Sequence, residues 1–365
     1  MTPFVVAELL PHLAMMSLQA SVLAGFVLIL RWTLGVSLSP RWRYALWLLV
    51  LCRLAWPFSI SSSVSLFNLF TAPFSLLTAD PGVERWVLGT AEWTFRAFQS
   101  DWLFGIWALG VVVLAGRFLV GWCLLLWRLR DSQPVSSWPV WWLLQECKVA
   151  SGIDSSITIV ESPHTSSPCV LGLSAPKLVL PWGATTRLSR EELRDVFLHE
   201  LAHIKRSDLP AIWIVEAMRI LHWFNPIVWY ICRRMEQDRE EACDEMALDK
   251  SEPDRPRAYG STLLKVLEGM GRRTLPRIPG VVRLLGGEDA LVRRLKFILH
   301  FQQGTRTWVV GGCCCLAVCI LGFTDPAVNG FGERLQLHLQ EQLPPAAPLA
   351  LAGFSLDLTK SRPAV

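Results

Sequence analysis

The sequence predicts a multi-pass α-helical membrane protein with a mainly α (α+β) domain inserted before its last membrane helix. Apolar residues make up 52% of the 365 residues and charged residues only 18%, whereas about 25% of a soluble chain is charged. The 18 tryptophans suit membrane interfaces, where the indole ring is buried and its N–H stays hydrated. Apolar segments of near-spanning length also flank a more polar region that has strand and helix patterns.

The candidate membrane helices cover residues 13–30, 44–60, 102–127 and 308–323. A helix of about 20 residues crosses a hydrocarbon core of ~30 Å, so the third segment is long enough, whereas the second and fourth are short. No basic residues precede the first segment, which predicts a retained membrane helix and not a cleaved signal peptide. We therefore expect three membrane helices before the inserted domain and one after it.

The basic residues of the short loops predict the orientation, because they accumulate on the cytoplasmic side of a membrane. The loop between the first two segments carries three arginines, whereas the loop 61–101 has mixed charge, as an outside loop does. Basic residues also lie at both ends of the inserted domain, residues 129–306. We expect this domain in the cytoplasm and both termini outside, with a short, poorly ordered tail over residues 324–365. The arginines of the first loop are Arg31, Arg41 and Arg43.

The remaining composition narrows the function classes. A formal net charge of +4 is too small to indicate direct nucleic acid binding. The 10 cysteines form no C-x-x-C pair, which predicts reduced thiols in a cytosolic domain. Arg53 and Arg117 lie inside the second and third candidate helices. An internal polar site is one interpretation of these arginines, and snorkelling or local pairing is the one we favour.

The inserted domain begins with strand patterns and continues with a helix. Residues 156–161 and 177–181 have the β-branched, alternating pattern of short strands, and a turn-rich segment joins them. Ser189 and Glu192 have the spacing of a capping box, which predicts a helix that begins at Ser189. An edge strand beside such a helix can bind an extended peptide as an added strand.

The predicted helix carries His199, Glu200 and His203 in an H-E-x-x-H pattern. On a helix the two histidines lie one turn apart on the same face, so both imidazoles can bind one tetrahedral Zn²⁺. Glu200 then faces the remaining metal position and can act as the general base in peptide hydrolysis. The pattern therefore predicts a zincin-like metallopeptidase domain with Zn²⁺ as its cofactor.

A third protein ligand is expected in the helix predicted after Pro226, which is rich in acidic residues. Glu240 and Asp244 have the E-x-x-x-D spacing of a metal ligand and of a carboxylate that hydrogen-bonds a histidine ligand. Glu241 is the rival ligand. The alternative interpretation is a solvated acidic helix face, which the preceding H-E-x-x-H helix makes the weaker one.

The stretch between these two helices contains further candidates. His222 could stabilise an oxyanion, although aromatic packing and helix capping by Asn225 are simpler interpretations. Residues 211–232 are apolar enough to mimic a membrane helix, but Glu216, Arg219 and His222 interrupt them. We therefore expect this segment to be buried in the domain or to lie shallowly at the bilayer surface.

Five motifs resemble those of the BlaR/MecR-type integral-membrane zinc metallopeptidases, an antirepressor family. They are Ser-Pro-Cys-Val-Leu-Gly at 167–172, Pro-Lys-Leu-Val-Leu-Pro at 176–181, His-Glu-Leu-Ala-His-Ile-Lys-Arg-Ser-Asp at 199–208, His-Trp-Phe-Asn-Pro at 222–226 and Arg-Glu-Glu-Ala-Cys-Asp at 239–244. The resemblance implies a peptidase in a bacterial cytoplasmic membrane that cleaves a cytosolic protein, a DNA-binding repressor or itself, after an outside signal. It also implies that the zinc ligands are His199, His203 and Glu240, and that Glu200 is the base.

The sequence departs from this family at its C-terminal end. Antibiotic-sensing members carry an outside penicillin-binding domain with an S-x-x-K serine nucleophile, whereas residues 324–365 contain no S-x-x-K. We expect the outside loop, the tail, a separate sensor protein or a partner in a homodimer to receive the signal.

Two alternative functions are compatible with the sequence. A quality-control protease of the HtpX or CAAX-endopeptidase type has the same motifs and would cleave many damaged membrane proteins instead of one repressor. A non-catalytic signalling scaffold would hold a structural metal, which needs a fourth protein ligand that is not evident near the other three.

Overall fold

A computed structural model describes residues 3–34, 38–55, 60–62, 65–66, 101–251, 255–269, 288–301 and 308–326, which form a mostly helical protein with a small sheet. The described helices are α1 (Pro3–Leu34), α2 (Pro40–Ala55), α3 (Asp101–Arg128), α4 (Trp138–Ser151), α5 (Ala184–Arg187), α6 (Arg190–Lys205), α7 (Asp208–Leu221), α8 (Pro226–Leu248), α9 (Pro256–Gly269), α10 (Glu288–Leu299) and α11 (Trp308–Gly322). A 3₁₀ turn, Leu129–Asp131, follows α3.

Within the part of the chain that the structure describes, two helical segments are long and apolar enough to cross a membrane, namely Leu9–Leu34 in α1 and Trp102–Asp131, which contains most of α3. The 16 residues of α2 and the 15 residues of the apolar α11 rise about 24 Å or less, which is shorter than a hydrocarbon core of ~30 Å. The second segment predicted from the sequence, residues 44–60, differs from α2. The helix begins earlier, at Pro40, since proline suits a first helical turn, and its described part ends at Ala55.

One apolar core joins α1, α2, α8 and α11. Each of these helices contributes a side chain that is at most 1% exposed: Leu23, Trp47, Ile231 and Val318. The N-terminal half of α8 is therefore part of the same bundle as the candidate membrane helices, while its C-terminal half continues into the inserted domain.

The turn between α7 and α8 lies against two long apolar helices. The side-chain amide of Asn225 donates to the hydroxyl of Ser17, near the middle of α1, at 2.7 Å. The indole N–H of Trp107, near the start of α3, donates to the carbonyl of Leu221 at 2.9 Å. Of the two placements expected for residues 211–232, burial in the domain holds for Ile212, Val228 and Ile231. The side chains of Ile214, Phe224 and Tyr230 stay exposed.

The described strands are β1 (Ile60–Ser62), β2 (Gln133–Pro134), β3 (Thr158–Ser162), β4 (Cys169–Leu171), β5 (Lys177–Pro181) and β6 (Thr324–Pro326). One sheet has the order β2-β3-β5-β4, in which β3 and β5 are parallel and the outer strands pair antiparallel. The two predicted strands are confirmed as β3 and β5, but both are internal. The edge strand that contacts α6 is β4, which has only three residues and lies in the segment that the sequence marks as turn-rich.

The sheet connects the end of α3 to the metal-motif helix. One sheet face packs Cys169, Leu171 and Val179 against Leu125 of α3. The other face packs apolar residues of β3 and β5 against α4 and α6, including the fully buried Phe197. The inserted domain is thus held close to the cytoplasmic end that the sequence predicts for α3.

The ends of α2 and α11 lie side by side. β1 and β6 pair in parallel, with Ile60 opposite Thr324, and the backbone N–H of Leu66 donates to the carbonyl of Leu321 at 2.9 Å. The expectation of a poorly ordered tail over residues 324–365 is therefore wrong for its first three residues, whose backbone groups pair with β1. The rest of the tail and most of the predicted outside loop lie outside the described residues.

Gly172 directly follows β4 with φ +91°, and a Cβ at this position would clash with the carbonyl oxygen of Ala175. We expect Gly172→Ala to lower the free energy of unfolding by more than about 1 kcal/mol, because it adds backbone strain and a clash. The control is Gly116→Ala in α3, where no atom lies within 4 Å of an added Cβ. Thermal unfolding of both variants in the same detergent tests this, and equal midpoints would contradict the expected strain.

Candidate metal centre

α6 presents the H-E-x-x-H residues inside the domain. The predicted capping box is confirmed, since the Glu192 N–H donates to the Ser189 hydroxyl at 3.2 Å and the Ser189 N–H donates to the Glu192 carboxylate at 2.8 Å. The helix that starts there holds the His199 and His203 rings with centroids 5.0 Å apart. Both histidines and Glu200 are at most 2% exposed.

α8 brings Glu240 to the same point. Its Oε2 lies 3.6 Å from His199 Nε2 and 4.0 Å from His203 Nε2. The three residues each offer one ligand atom, and these atoms lie within 4.8 Å of one another. Two imidazole nitrogens and one carboxylate are a donor set found in catalytic zinc sites, where a fourth position stays open.

Four buried atoms around this point have no hydrogen-bond partner within the described part of the chain. They are His199 Nε2, His203 Nε2, Glu200 Oε2 and Glu240 Oε2. Buried polar atoms are nearly always satisfied, because an unpaired one costs ~1–3 kcal/mol. A metal ion would satisfy three of the four as ligands, so the residues present fit a metal at this point.

Carboxylates hold the far nitrogens of both histidines. His203 Nδ1 lies 2.8 Å from Asp208 Oδ2, and His199 Nδ1 lies 3.0 Å from Asp244 Oδ1. The Tyr259 hydroxyl donates to the same Asp244 oxygen at 2.8 Å. Such contacts fix the tautomer and the ring orientation, which leaves each Nε2 available on the side of Glu240.

Sequence reasoning expected Asp244 in this role but assigned none to Asp208 or Tyr259. Asp208 is the first residue of α7, where an acidic residue is favoured at any helix start, so its position five residues after His203 did not stand out. Tyr259 lies on α9, 60 residues after His199, and no local pattern links the two.

Burial and neighbouring charges set the ionisation of the two glutamates. Burial raises the pKa of Glu200 to about 7, so this carboxyl can both accept and release a proton near neutral pH. Burial also acts to raise the pKa of Glu240, but the close contact with His199 and the charges of His203 and Arg239 outweigh it and lower this pKa to about 2. Glu240 is therefore a carboxylate, the form that binds a metal.

Two other acids of α8, Asp238 and Glu241, are buried in ion pairs. Glu241 accepts a hydrogen bond from Arg43 at 2.8 Å and also pairs with Arg293. Glu241 and Asp238 are at most 2% exposed, so the interpretation of a solvated acidic face is wrong. The structure brings Glu240, and not the rival Glu241, to the two histidines. The partners of Asp238 are Arg31, Arg293 and the indole N–H of Trp47.

His222 does not share these contacts. It is 1% exposed, and no contact between described residues joins it to the two histidines or to Glu240. Its carbonyl accepts from the Asn225 N–H at 2.9 Å. The side chain of Asn225 accepts from the Ile227 N–H at 2.8 Å, which confirms the interpretation of Asn225 as the cap of α8.

The two arginines inside the candidate membrane helices have different surroundings. Arg53 is 1% exposed and donates to Gln19 Oε1 at 2.6 Å, so local pairing between α2 and α1 is confirmed. Arg117 lines a small cavity between α3, α7 and α8, together with Glu216 and Arg219.

Comparison with known families identifies the family of this chain. The family described as BlaR1 peptidase M56 matches residues 11–298. This range includes the H-E-x-x-H helix and the acidic helix that carries Glu240. The chain belongs to this family. The resemblance to BlaR/MecR-type proteins is therefore confirmed, and the family match supports a membrane, metallopeptidase-like signal transducer.

Similar curated proteins agree with this assignment. The Regulatory protein BlaR1 of Bacillus licheniformis is 29% identical over 202 residues, which is 55% of this chain and 33% of that protein. The Methicillin resistance mecR1 protein of Staphylococcus aureus is 28% identical over 149 residues, which is 40% of this chain and 25% of that protein. The chain thus spans a third or less of the length of these relatives.

Glutamine substitutions on α8 distinguish the two candidate ligands. We expect Glu240→Gln to lower the zinc affinity by about 100-fold or more, because even groups that only orient a ligand contribute 10- to 100-fold. Glu241→Gln is the matched control, since Glu241 is equally buried but pairs with arginines. Competition with a chelator on the full-length protein measures both affinities. Loss of zinc only in the Glu241 variant would assign the ligand to Glu241 instead.

Proposed function

We propose that this chain is a membrane-embedded zinc endopeptidase that hydrolyses peptide bonds on the cytosolic side of a bacterial cytoplasmic membrane. Its substrate would be a transcriptional repressor, the chain itself, or both. The observation that carries the proposal is the convergence of four buried atoms, from His199, Glu200, His203 and Glu240, that have no hydrogen-bond partner among the described residues. Hydrophobic packing alone would not explain why both histidines lie at this point.

His199, His203 and Glu240 would hold the zinc. When bound, zinc supplies Lewis acidity, which polarises a substrate carbonyl and eases the deprotonation of water. Three protein ligands leave a position for the reaction, whereas a structural zinc site uses four. Within the described residues the cluster contains only these three ligands, which favours the enzyme over the non-catalytic scaffold.

Glu200 would carry the proton in the reaction. Its neighbour His199 is a proposed ligand, and its own Oε2 is buried without a hydrogen-bond partner among the described residues. As water attacks the carbonyl carbon, a C–O bond forms and Glu200 accepts the proton. As the C–N bond breaks, Glu200 gives this proton to the leaving amine, and a pKa of about 7 suits both transfers.

The edge strand β4 would bind the substrate. Among the described strands it pairs with β5 at the edge of the sheet, and it contacts α6, which carries the histidines. An extended peptide that adds to a free strand edge gains main-chain hydrogen bonds with little dependence on its sequence. A cleaved segment would therefore have to be extended where it meets β4.

Four crossings would place this site in the cytoplasm and both termini outside. α1 and α3 are long enough to cross, and the basic residues at their ends fit a cytoplasmic location. α2 and α11 are shorter, but their ends meet through β1 and β6, which supports an arrangement in which both emerge on the same side. The relatives from Bacillus and Staphylococcus support a bacterial membrane.

An arginine clamp would couple the membrane helices to the site. We define this clamp as Arg31, Arg43 and Arg293 together with Asp238 and Glu241. Arg31 lies in the last turn of α1, and Arg43 lies in the first turn of α2. The clamp therefore connects these two helices, the α1–α2 hairpin, to α8. Glu240 and Asp244 lie on the same helix. A movement of the hairpin would therefore shift a zinc ligand and its histidine partner together.

Removal of the proposed base tests the enzymatic function. We expect expression of the wild-type chain to produce metal-dependent fragments of a cytosolic protein or of the chain, and Glu200→Gln to abolish them while zinc stays bound. Glu191→Gln is the control, since Glu191 lies exposed in the first turn of the same helix. Mass spectrometry of protein termini in the native host measures the fragments.

The same experiment separates the candidate substrates. One cleaved cytosolic protein indicates a repressor, fragments of the chain indicate self-cleavage, and many cleaved membrane proteins indicate quality control. Equal fragment patterns in the wild type and the Glu200 variant would remove the peptidase proposal.

Substitution of Arg31 tests the clamp. We expect Arg31→Met to speed amide hydrogen exchange over residues 238–248 by about tenfold or more, which corresponds to ~1.4 kcal/mol lost when the buried Asp238 loses one of its cations. Arg41→Met is the control, because Arg41 is 32% exposed and pairs at the rim, where an ion pair contributes little. Equal exchange in the two variants would contradict the coupling.

A further inference from the structure

Arg294 lies in the core of the domain, although in the sequence a long segment separates it from the metal motifs. It shares one stripe of α10 with Leu291, Leu295 and Ile298, three to four residues apart, and this stripe packs into the apolar core. Arg294 is 3% exposed and Ile298 is fully buried. A charged residue at a position that the helix pattern reserves for an apolar one calls for a specific partner.

The partner is the carboxylate that orients His199. The Arg294 guanidinium donates to both oxygens of Asp244, from Nε at 2.8 Å and from Nη2 at 2.7 Å. This two-point geometry fixes the plane of the carboxylate as well as its distance. Its third nitrogen, Nη1, lies 3.6 Å from Oε2 of the proposed ligand Glu240.

Arg294 therefore acts on two sides of the centre. Through Asp244 it determines the direction in which His199 Nδ1 is held, at 3.0 Å from the carboxylate. Its positive charge also lies beside both buried carboxylates, those of Asp244 and Glu240. Without Arg294, Asp244 would be a buried anion with only neutral donors and His199, free to rotate away from the histidine.

We infer that Arg294 is a positioning residue of the metal centre, which acts through Asp244 on His199 and directly on Glu240. The inference rests on the proposed zinc site. It extends that site to α10, an element that begins 40 residues after the end of α8 and that the sequence pattern did not connect with metal binding.

The adjacent Arg293 provides a matched comparison. It lies on the same helix and also reaches acids of α8, but these acids are Asp238 and Glu241, which belong to the arginine clamp. If Arg294 served only to dock α10, loss of either arginine would affect the centre similarly. If Arg294 positions the ligands, its loss changes the metal coordination more than the loss of Arg293 does.

The test compares Arg294→Met, Arg294→Lys and Arg293→Met in the full-length protein in detergent, with zinc affinity and the visible absorption spectrum after Co²⁺ substitution as readouts. We expect Arg294→Met to weaken zinc binding by about 10- to 100-fold and to alter the Co²⁺ spectrum. Arg294→Lys should recover only part of the affinity, since lysine keeps the charge but not the two-point contact. Arg293→Met, which touches the centre only through the clamp, should change the spectrum less than Arg294→Met does.

Two outcomes would overturn the inference: wild-type zinc affinity and Co²⁺ spectrum in Arg294→Met, or the same spectral change in Arg293→Met. If Arg294→Met does not fold, Arg294→Lys carries the test, and a wild-type spectrum and affinity in that variant overturns the inference.

A wild-type protein that binds no zinc would instead remove the proposed function. Normal zinc binding in Arg294→Met, together with fragment loss in Glu200→Gln, would leave the proposed function intact and remove only the role of Arg294.

Discussion

The structure depends on the burial of four acids along one helix, α8. Asp238 and Glu241 are three residues apart on one face, and Glu240 and Asp244 are four residues apart on another. Each buried carboxylate needs a compensating cation or several donors, because an uncompensated charge in the interior costs several kcal/mol. The carboxylates of the first face pair with arginines of α1, α2 and α10. Those of the second face pair with histidines and with Arg294. The position of α8 is fixed by both requirements together.

The local part of the centre could be predicted from the sequence, whereas the long-range part could not. His199, Glu200 and His203 are placed by helical period and by a capping box that the structure reproduces. On α8, in contrast, acids on both faces are buried, so periodicity alone could not decide between Glu240 and Glu241. The choice between the two glutamates depends on Arg43, which lies 198 residues earlier in the chain and forms an ion pair with Glu241. Strand β4 escaped prediction because three residues between turns carry too little alternation to be distinguished from a loop.

The clamp matters because the residues of the metal centre are buried. The two histidines, Glu200 and Glu240 are at most 6% exposed, so an extended polypeptide needs an opening before its carbonyl can reach them. Of the elements around the centre, α6 is anchored by the sheet and by α4, and α9 with α10 is anchored in the same apolar core. α8 differs, because half of its length packs with α1, α2 and α11. It is the element through which a movement in the membrane can reach the ligands.

Such a coupling works in both directions. If the α1–α2 hairpin changes the position of Glu240, then a shift of the hairpin changes the free energy of metal binding, and metal binding must resist that shift by the same amount. The acids of the clamp are buried and its contacts are few, so we expect the hairpin and α8 to move as two packed bodies with discrete contacts. Under the proposed function, a signal would need only to favour one packing of α1 and α2 over another. Because ligand and clamp residues alternate along α8, neither can be repositioned without the other.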